Sequence, residues 1–254
     1  MTRAVFDPSS ITGASYAIIA VENGATYNTL SDWKLIMTGM EIGDPVTRKY
    51  EVKVPGRDGV LDLSDALGGT YYDNRQITMR FVCQNYTTEN FQLLAATIRN
   101  AIKGKTCRVS SSSDLGFFWR GRPDVEAAWP ALEHTELTIT MDAEPYKLNS
   151  VSSYDPWLWD SFSFVNGVVT DDSDISLDDE TKTVVLPKDP ARGKPTLWLN
   201  TGSAKARVST DQTWHVLKSG ANVFPEIRMS ADTAQTLLLN GTGSVGVEYR
   251  TGSL

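Results

Sequence analysis

The two histidines, His134 and His215, are the residues best suited to acid–base chemistry in this chain. A serine hydrolase would need one of them beside an activated serine. The sequence has no G-x-S-x-G elbow, and the serine run SSSD at 111–114 lacks flanking glycines. Histidine and cysteine spacings typical of zinc sites are also absent from the sequence. We therefore interpret both histidines as strand residues and expect no catalytic group, metal or cofactor.

Two short segments resemble phosphate-binding loops in composition: GKT at 104–106 and GKPT at 193–196. A P-loop requires a glycine five residues before its second glycine, and Arg99 and Lys188 occupy those positions. A P-loop also precedes a helix, whereas the helical pattern here comes before residue 104. We interpret GKT as the end of a helix that leads into a strand.

The acidic run TDDSDISLDDE at 170–180 is the best candidate for a metal site. Its carboxylates could supply oxygen ligands to calcium: Asp171, Asp172, Asp174, Asp178, Asp179 and Glu180. The spacing matches no EF-hand, and the glycine of the sharp turn is missing. A solvated acidic loop between strands is the favoured interpretation. A calcium site would show as a change in thermal stability when calcium is removed.

Tryptophans in the second half could form a platform on which a sugar ring stacks. They are Trp157, Trp159, Trp198 and Trp214. Trp198 stands between Leu197 and Leu199, however, and the flanking pattern suits a ring in a hydrophobic core equally well. We favour the core for these rings and keep a carbohydrate-binding surface as the alternative.

The segment PGRDG at 55–59 is rich in residue types that are common in ligand-binding loops and in turns. No partner residues suggest catalysis by Arg57 or Asp58. Pro55 fixes its own φ, Gly56 and Gly59 permit positive φ, and the carboxyl group of Asp58 can hydrogen-bond the local backbone. Residue type alone therefore predicts a tight connection between two strands.

The bulk composition excludes several classes of protein. A formal net charge of −7 disfavours tight electrostatic binding to nucleic acid. No apolar run approaches the ~18 residues of a membrane span, so we expect no membrane insertion and a chain that starts near Met1 and folds in a cytoplasm. Cys83 and Cys107 are too few for a disulfide scaffold, and we expect both to be small buried side chains.

The sequence pattern of the first half predicts antiparallel strands and one helix. Alternating apolar residues predict half-buried strands around 77–83 and 137–141, and further strands over 33–40 and 50–54. In TTENFQLLAATIRNAIKGK, apolar residues at helical spacing predict a helix within 87–105. Those residues are Phe91, Leu94, Ala95, Ile98 and Ile102, with Thr88 as N-cap and Gly104 as the stop signal.

The strand pattern of the second half predicts a β-sandwich or a jelly roll. A polar stretch at 144–156 separates it from the first half, and short apolar strands follow, with turn formers such as SGAN and NGTG between them. The predicted strands are 183–187, 195–200, 205–210, 213–218, 226–230, 235–240 and 244–250. The domain boundary is therefore expected between residues 1–149 and 150–254.

Two parts of the chain resemble a known family. VPGRDGVLDLSDALGG, the strand YYDNRQITMRF, a single helix and a final strand that ends in EPY look like the N-terminal domain of siphophage distal tail proteins. LKSGANVFPEIRMSADTAQTLLLNGTGSVGVEYRTGSL at 217–254 is similar to their C-terminal galectin-like domain. The resemblance implies a mostly β fold with two domains: an N-terminal antiparallel β-sandwich with one α-helix and a hairpin extension, and a C-terminal galectin-like β-sandwich.

The resemblance also implies a function and partners. Members of this family form a hexameric ring, a homohexamer that joins the tail tube protein to the tail tip or tail-associated protein and leaves a lumen for DNA. Receptor-binding proteins are further possible partners. The expected location is the virion tail tip, assembled in the bacterial host cytoplasm, and no enzymatic activity is expected. The short loops leave no room for an inserted carbohydrate-binding module.

The ring predicts contacts between protomers. We expect the region from PGRDG to YYDNR to lie in or beside such a contact, with these candidate residues: Pro55, Gly56, Arg57, Asp58, Gly59, Tyr71, Tyr72, Asn74 and Arg75. The alternative function is a carbohydrate-binding module in a host-adhesion device, for which Trp157 and Trp159 would contact the glycan.

Overall fold

The computed structural model describes residues 13–64, 66, 69–83, 88–128, 135–155 and 172–254. The chain divides into two compact units, Met1–Pro145 and Tyr146–Leu254. Each unit has its own hydrophobic core. The described part contains one helix among many antiparallel strands, and the predicted mostly β fold with two β-sandwich domains is confirmed.

The elements of the first unit are one helix and nine strands within the described residues. They are β1 Ala17–Val21, β2 Thr26–Asn28, β3 Ile36–Ile42, β4 Glu51–Val52, β5 Leu61–Asp62, β6 Arg75–Cys83, α1 Thr88–Ile102, β7 Cys107–Ser111, β8 Asp114–Ala128 and β9 Thr135–Ala143. Most of them form one antiparallel sheet in the order β2-β1-β7-β8-β9-β6-β3.

The sheet of the first unit curls around a single core. The early residues of β8 pair with β7, whereas its residues from Gly121 onward pair with β9. The N–H of Met37 in β3 donates to the carbonyl of Ser15, just before β1, at 2.9 Å. The two ends of the sheet therefore meet, and its inward side chains form one continuous cluster.

Strand β6 shows why the alternation of apolar residues in the sequence predicts the strands of this sheet. Its burial alternates without a break, and Ile77, Met79 and Phe81 are buried among the core residues. Strand β9 pairs with it in register and contributes Leu137 and Ile139 to the same core. Both predicted strands are confirmed, since a period of two is what one buried sheet face requires.

The predicted helix is confirmed as α1. Four of its apolar residues are fully buried: Phe91, Ala95, Ile98 and Ile102. Gly104 adopts a φ of +73°, and the ammonium of Lys105 donates to the carbonyl oxygens of Asn100 and Ala101 in the last turn. GKT therefore ends a helix and leads into β7, as predicted.

The two cysteines are free and buried, which confirms the prediction for them. Burial raises the pKa of the Cys107 thiol, because the thiolate loses hydration in apolar surroundings. The strand predicted over 33–40 begins only at Ile36, since Trp33 lies in the turn before it.

Within the described residues, the elements of the second unit are strands. They are β10 Lys147–Asn149, β11 Ile175–Asp178, β12 Lys182–Leu186, β13 Thr196–Val208, β14 His215–Val216, β15 Gly220–Asn222, β16 Gln235–Glu248 and β17 Gly252–Ser253. Strands β13 and β16 pair along almost their whole length, and β10 pairs with β17. Strands β11 and β12 pair with β16, and β14 and β15 pair with β13.

Two sequence predictions of turns are wrong in this unit. NGTG at 240–243 lies inside β16, and the gap expected after residue 200 lies inside β13. In β13 the residue Asn200 forms a β-bulge, because Leu199 pairs with Val245 while Thr201 pairs with Ser244. The bulge changes the phase of the strand, so that Leu199 before it and Ala204 after it both face the core.

Other predictions for the second unit also need correction. Residues 226–230 form no strand, and the SGAN turn contains β15. In the acidic run, 175–178 form β11 instead of a loop, because Ile175 and Leu177 face the core. Asp171 lies outside the described residues. Within the described part, no group of three metal-ligating side chains that could hold a metal ion occurs.

One ion-pair network on the first unit predicts a pH dependence. The guanidinium of Arg120 donates to both carboxylate oxygens of Glu22, at 2.7 and 3.0 Å, and also to Glu144. These hydrogen bonds lower the pKa of Glu22 against the opposing effect of burial, and the positive charges of Arg120 and Arg108 lower it further.

We expect Glu22→Gln to lower the free energy of unfolding at pH 7 by about 1 kcal/mol, because Arg120 is 39% exposed and water screens the pair. A depressed pKa stabilises the fold above the unfolded-state pKa, so this difference should shrink as the pH falls below about 4.5. Urea denaturation at pH 7 and pH 3.5 measures it. Glu41→Gln, which breaks the more exposed pair with Arg80, is the matched control and should have a smaller effect. If the difference in free energy of unfolding between wild type and Glu22→Gln grew toward low pH, the stabilising role assigned to the Glu22–Arg120 pair would be contradicted.

Candidate interaction site

Residues 43–74 form an extension of the first unit, which we call the arm. It leaves the sheet after β3 and returns to it at β6. At its base, the N–H of Gly43 donates to the carbonyl of Gln76 at 2.8 Å, and Thr47 forms an isolated bridge with Tyr72. Further out, β4 pairs with β5 in a short antiparallel ribbon. The arm is therefore the hairpin extension that the resemblance implies.

Side-chain hydrogen bonds hold the arm in shape. Ser64 accepts the N–H of Tyr50 at 3.0 Å and donates its hydroxyl to Asp62 at 2.5 Å. That contact lowers the pKa of Asp62. Nearer the base, Arg48 and Asp73 form an ion pair at 2.5 Å, which raises the pKa of Arg48. These contacts connect the outgoing and returning segments of the arm.

The tip of the arm is the PGRDG segment. Gly56 and Gly59 adopt φ values of +80° and +78°, and the N–H of Arg57 donates to the carbonyl of Val54 at 3.2 Å. The predicted tight turn is therefore present. The hydrogen bond expected between Asp58 and the local backbone is not, and the Asp58 carboxyl has no hydrogen bond or ion pair among the described residues. All five residues of the tip are exposed.

The returning end of the arm holds the other candidate contact residues in different environments. Tyr71 and Tyr72 are half-buried, and Asn74 is exposed and donates its side-chain amide to Asp142 in β9 at 3.1 Å. Arg75 is only 6% exposed and lies inside the sheet. Its guanidinium carbon is 4.6 Å from the ring centroid of Trp119. Burial lowers the pKa of Arg75, and the negative charge of Asp44 opposes that change.

A row of exposed apolar side chains is the main feature that sequence reasoning missed. Among the described residues, large hydrophobic side chains exposed on the arm are Val46, Tyr50, Val52, Val54, Val60 and Leu63. A two-stranded ribbon is marginally stable alone in water, and clustered exposed apolar groups mark interaction sites. The alternation of valine with charge in YEVKV at 50–54 is a signal that could have revealed an apolar face.

Within the part of the chain that the structure describes, the residues that could carry other chemistry are not assembled into one site. The ring of His215 packs against Phe224 at 4.8 Å, and His134 lies outside the described residues. Trp198 donates its indole N–H to Glu248 at 2.8 Å, while Trp214 lies under Lys205 and Arg207. Both tryptophans are half-buried and neither belongs to the core cluster, so the prediction of a core role is wrong for them. Trp157 and Trp159 lie outside the described residues.

Comparison with known proteins decides what this architecture is. No model of a protein family and no curated protein matches the chain. A crystal structure of SPP1 Dit (gp 19.1) matches it with a TM-score of 0.56 at 8% sequence identity, over 94% of this chain and 99% of that chain. The chain has the fold of a phage distal tail protein.

The match with Dit extends over both units and confirms the resemblance at the level of the fold. SPP1 Dit is described as a paradigm of the hub adsorption apparatus in phages that infect Gram-positive bacteria. In the described part of our Dit-like chain, no helix has the length and apolar character needed to cross a membrane.

Proposed function

We propose that this protein is the hub of a non-contractile phage or prophage tail, at the tail tip. The observation that carries the proposal is a shared fold with SPP1 Dit over nearly the full length of both chains. A fold alone hosts many functions, so the exposed arm is the second support: it presents the apolar surface that a self-assembling protein needs.

In the proposed hub, six copies form a ring through residues 1–149, and residues 150–254 project outward. The ring joins the tail tube protein to the tail tip or tail-associated protein, and receptor-binding proteins attach around it. DNA passes through the lumen without specific contacts, consistent with the net charge of −7. Assembly takes place in the cytoplasm of the bacterial host, and the role is structural with no catalytic step.

Negative-stain imaging of the purified protein tests the ring directly. A six-fold ring is the expected result, and the distribution of oligomer sizes should depend on protein concentration. A protein that light scattering shows to be monomeric at high concentration would contradict the hub. Loss of glycan binding by Trp157→Ala or Trp159→Ala in a folded protein would favour the carbohydrate-binding alternative.

Reversal of charge at the arm tip should weaken assembly without weakening the fold. The side chain of Arg57 is exposed and makes no hydrogen bond or ion pair among the described residues, so Arg57→Glu should leave the melting temperature unchanged. We expect it to raise the concentration needed for ring formation by about tenfold, because reversing a charge in an interface destroys its electrostatic complementarity. Mass photometry measures the effect. Lys218→Glu, an equal change at an exposed residue of the second unit, should have none.

A further inference from the structure

A cluster of aromatic and polar side chains lies on the second unit, on the face of β13 that points away from the core. Trp198 and Tyr154 form its centre, with ring centroids 5.8 Å apart and ring planes inclined by 38°. Both residues are half-buried, and neither belongs to the core cluster. In β13 the neighbours Leu197 and Leu199 face the core, so the pleat of the strand places Trp198 on the opposite face. A hydrophobic core therefore does not account for this pair of rings.

The backbone of β13 and β16 positions this cluster. Gly246 of β16 pairs with Trp198, and a Cβ at Gly246 would lie 2.3 Å from Cε2 of Tyr154, so the tyrosine ring packs on the bare backbone of β16. Further along β13, the bulge at Asn200 leaves its side chain exposed, and the hydroxyl of Tyr154 donates to Oδ1 of Asn200 at 3.4 Å. Bulges are common beside active sites, because they redirect a side chain out of the regular pleat.

Side-chain hydrogen bonds hold the polar groups of this cluster in place. The indole N–H of Trp198 donates to Oε2 of Glu248 at 2.8 Å, and the amide of Asn200 donates to the hydroxyl of Ser244 at 3.3 Å. The hydroxyl of Ser244 in turn donates to Oδ1 of Asp174. The other oxygen of each carboxylate, Oε1 of Glu248 and Oδ2 of Asp174, accepts no hydrogen bond among the described residues. The cluster therefore presents fixed acceptor oxygens beside two aromatic rings.

We propose that this cluster binds a neutral pyranose unit of a glycan. A pyranose has an apolar face of C–H groups that packs on an aromatic ring, and its hydroxyl groups donate to carboxylate and amide oxygens. The charge of the site selects among glycans: Glu248 and Asp174 form no ion pair among the described residues, and they would repel a phosphate or carboxylate group on the sugar. The inference uses only residues of the second unit and is independent of the proposed ring.

Saturation-transfer NMR and calorimetry on the full chain test sugar binding. The probes are glucose, galactose and N-acetylglucosamine, with glucuronic and galacturonic acid as the anionic comparisons. We expect at least one neutral sugar to bind with a Kd in the millimolar range, with the strongest saturation on the C–H groups of one ring face. The corresponding uronic acid should bind more weakly. Protein that binds none of the neutral sugars, or that prefers a uronic acid, would overturn the proposal.

Two substitutions locate the site on the protein. Trp198→Ala removes the stacking surface and should raise the Kd of the bound sugar by at least about tenfold. Asn200→Ala removes one hydrogen-bonding group and should raise the Kd by about fivefold. Because Asn200 is exposed, its variant should fold normally, and it decides the question if Trp198→Ala does not fold. Sugar binding that is unchanged in both folded variants would overturn the assignment.

Trp214→Ala is the matched control for Trp198→Ala. Trp214 is also a half-buried tryptophan of the second unit, but it lies under Lys205 and Arg207, so its loss should leave sugar binding unchanged. Loss of binding in a folded Trp214→Ala protein would place the sugar elsewhere and overturn the assignment. Six-fold rings that bind no neutral sugar would contradict this site and leave the hub standing. Protein that binds sugar through Trp198 and never assembles would support the site and contradict the hub.

Discussion

Replacement of Asp189 by alanine is expected to lower the free energy of unfolding of the second unit by about 3 kcal/mol. The side chain is fully buried, and its oxygens accept backbone N–H groups from Ala191, Gly193 and Gly252 at 3.3, 2.9 and 2.8 Å. Alanine would leave these donors without a partner, and each buried unpaired N–H costs about 1–3 kcal/mol. Because Gly252 belongs to β17, the carboxyl group also connects the turn at 189–193 to the end of the chain.

Urea denaturation followed by tryptophan fluorescence measures this loss. Asp189→Asn keeps one oxygen as an acceptor and should lose about half as much. Asp232→Ala removes an exposed carboxyl of the same unit, which accepts no hydrogen bond among the described residues, and should be neutral. Unfolding of Asp189→Ala within about 0.5 kcal/mol of wild type would show that water satisfies the three donors instead.

Gly241→Ala should be at least as damaging, with an expected loss of about 3 kcal/mol or more. A Cβ at this position would lie 2.1 Å from the carbonyl oxygen of Ser203 and 2.7 Å from the Cα of Ala204, and the φ of +144° is itself unfavourable for alanine. Both neighbours are backbone atoms of β13, so no side chain can move away to make space.

Gly220→Ala separates the two causes of that loss. Its φ is +88°, but nothing lies within 4 Å of the Cβ that would be added. This variant should therefore lose only about 1 kcal/mol, the cost of the backbone conformation. Thermal unfolding of both variants measures the difference. Equal losses would mean that close approach of the two long strands contributes little to the stability of the second unit.

The local sequence pattern predicts an element correctly when its apolar residues recur with a single period, because that period already marks the face that will be buried. In β6 and α1 the spacing of apolar residues, at 2 and 3.6, is also the spacing of the buried side chains. The stop at Gly104 and the turn at 55–59 follow from residue type, because few residues tolerate positive φ. Nothing beyond the neighbouring residues is needed for any of these.

Arg75 shows where residue type misleads. An arginine next to Asn74 suggests a surface, and the candidate contact set includes both. Arg75 nevertheless has the phase of Ile77 and Met79 along β6, and the structure buries all three on one face. Phase was the better guide, since the pleat of a strand fixes the direction of a side chain whatever its charge.

The long strands of the second unit required tertiary information. NGTG has the composition of a hairpin turn, and its residue types alone predict one. In the fold, Gly241 and Gly243 pair with Ala204 and Gly202 of β13, and the absence of side chains lets the two backbones approach closely. Glycine suits a turn and a close crossing equally, so only the position of β13 distinguishes them.

By itself, the sequence determined the mostly β character, the helix α1, the tip of the arm and the resemblance to distal tail proteins. Each depends on periodicity or on the conformational limits of neighbouring residues. Only the tertiary structure decided that Arg75 is buried with two guanidinium nitrogens that lack a hydrogen-bond partner, and that the valines of the arm are exposed. Those features depend on residues far apart in the chain, because burial is a property of the packed surfaces and not of the residue alone.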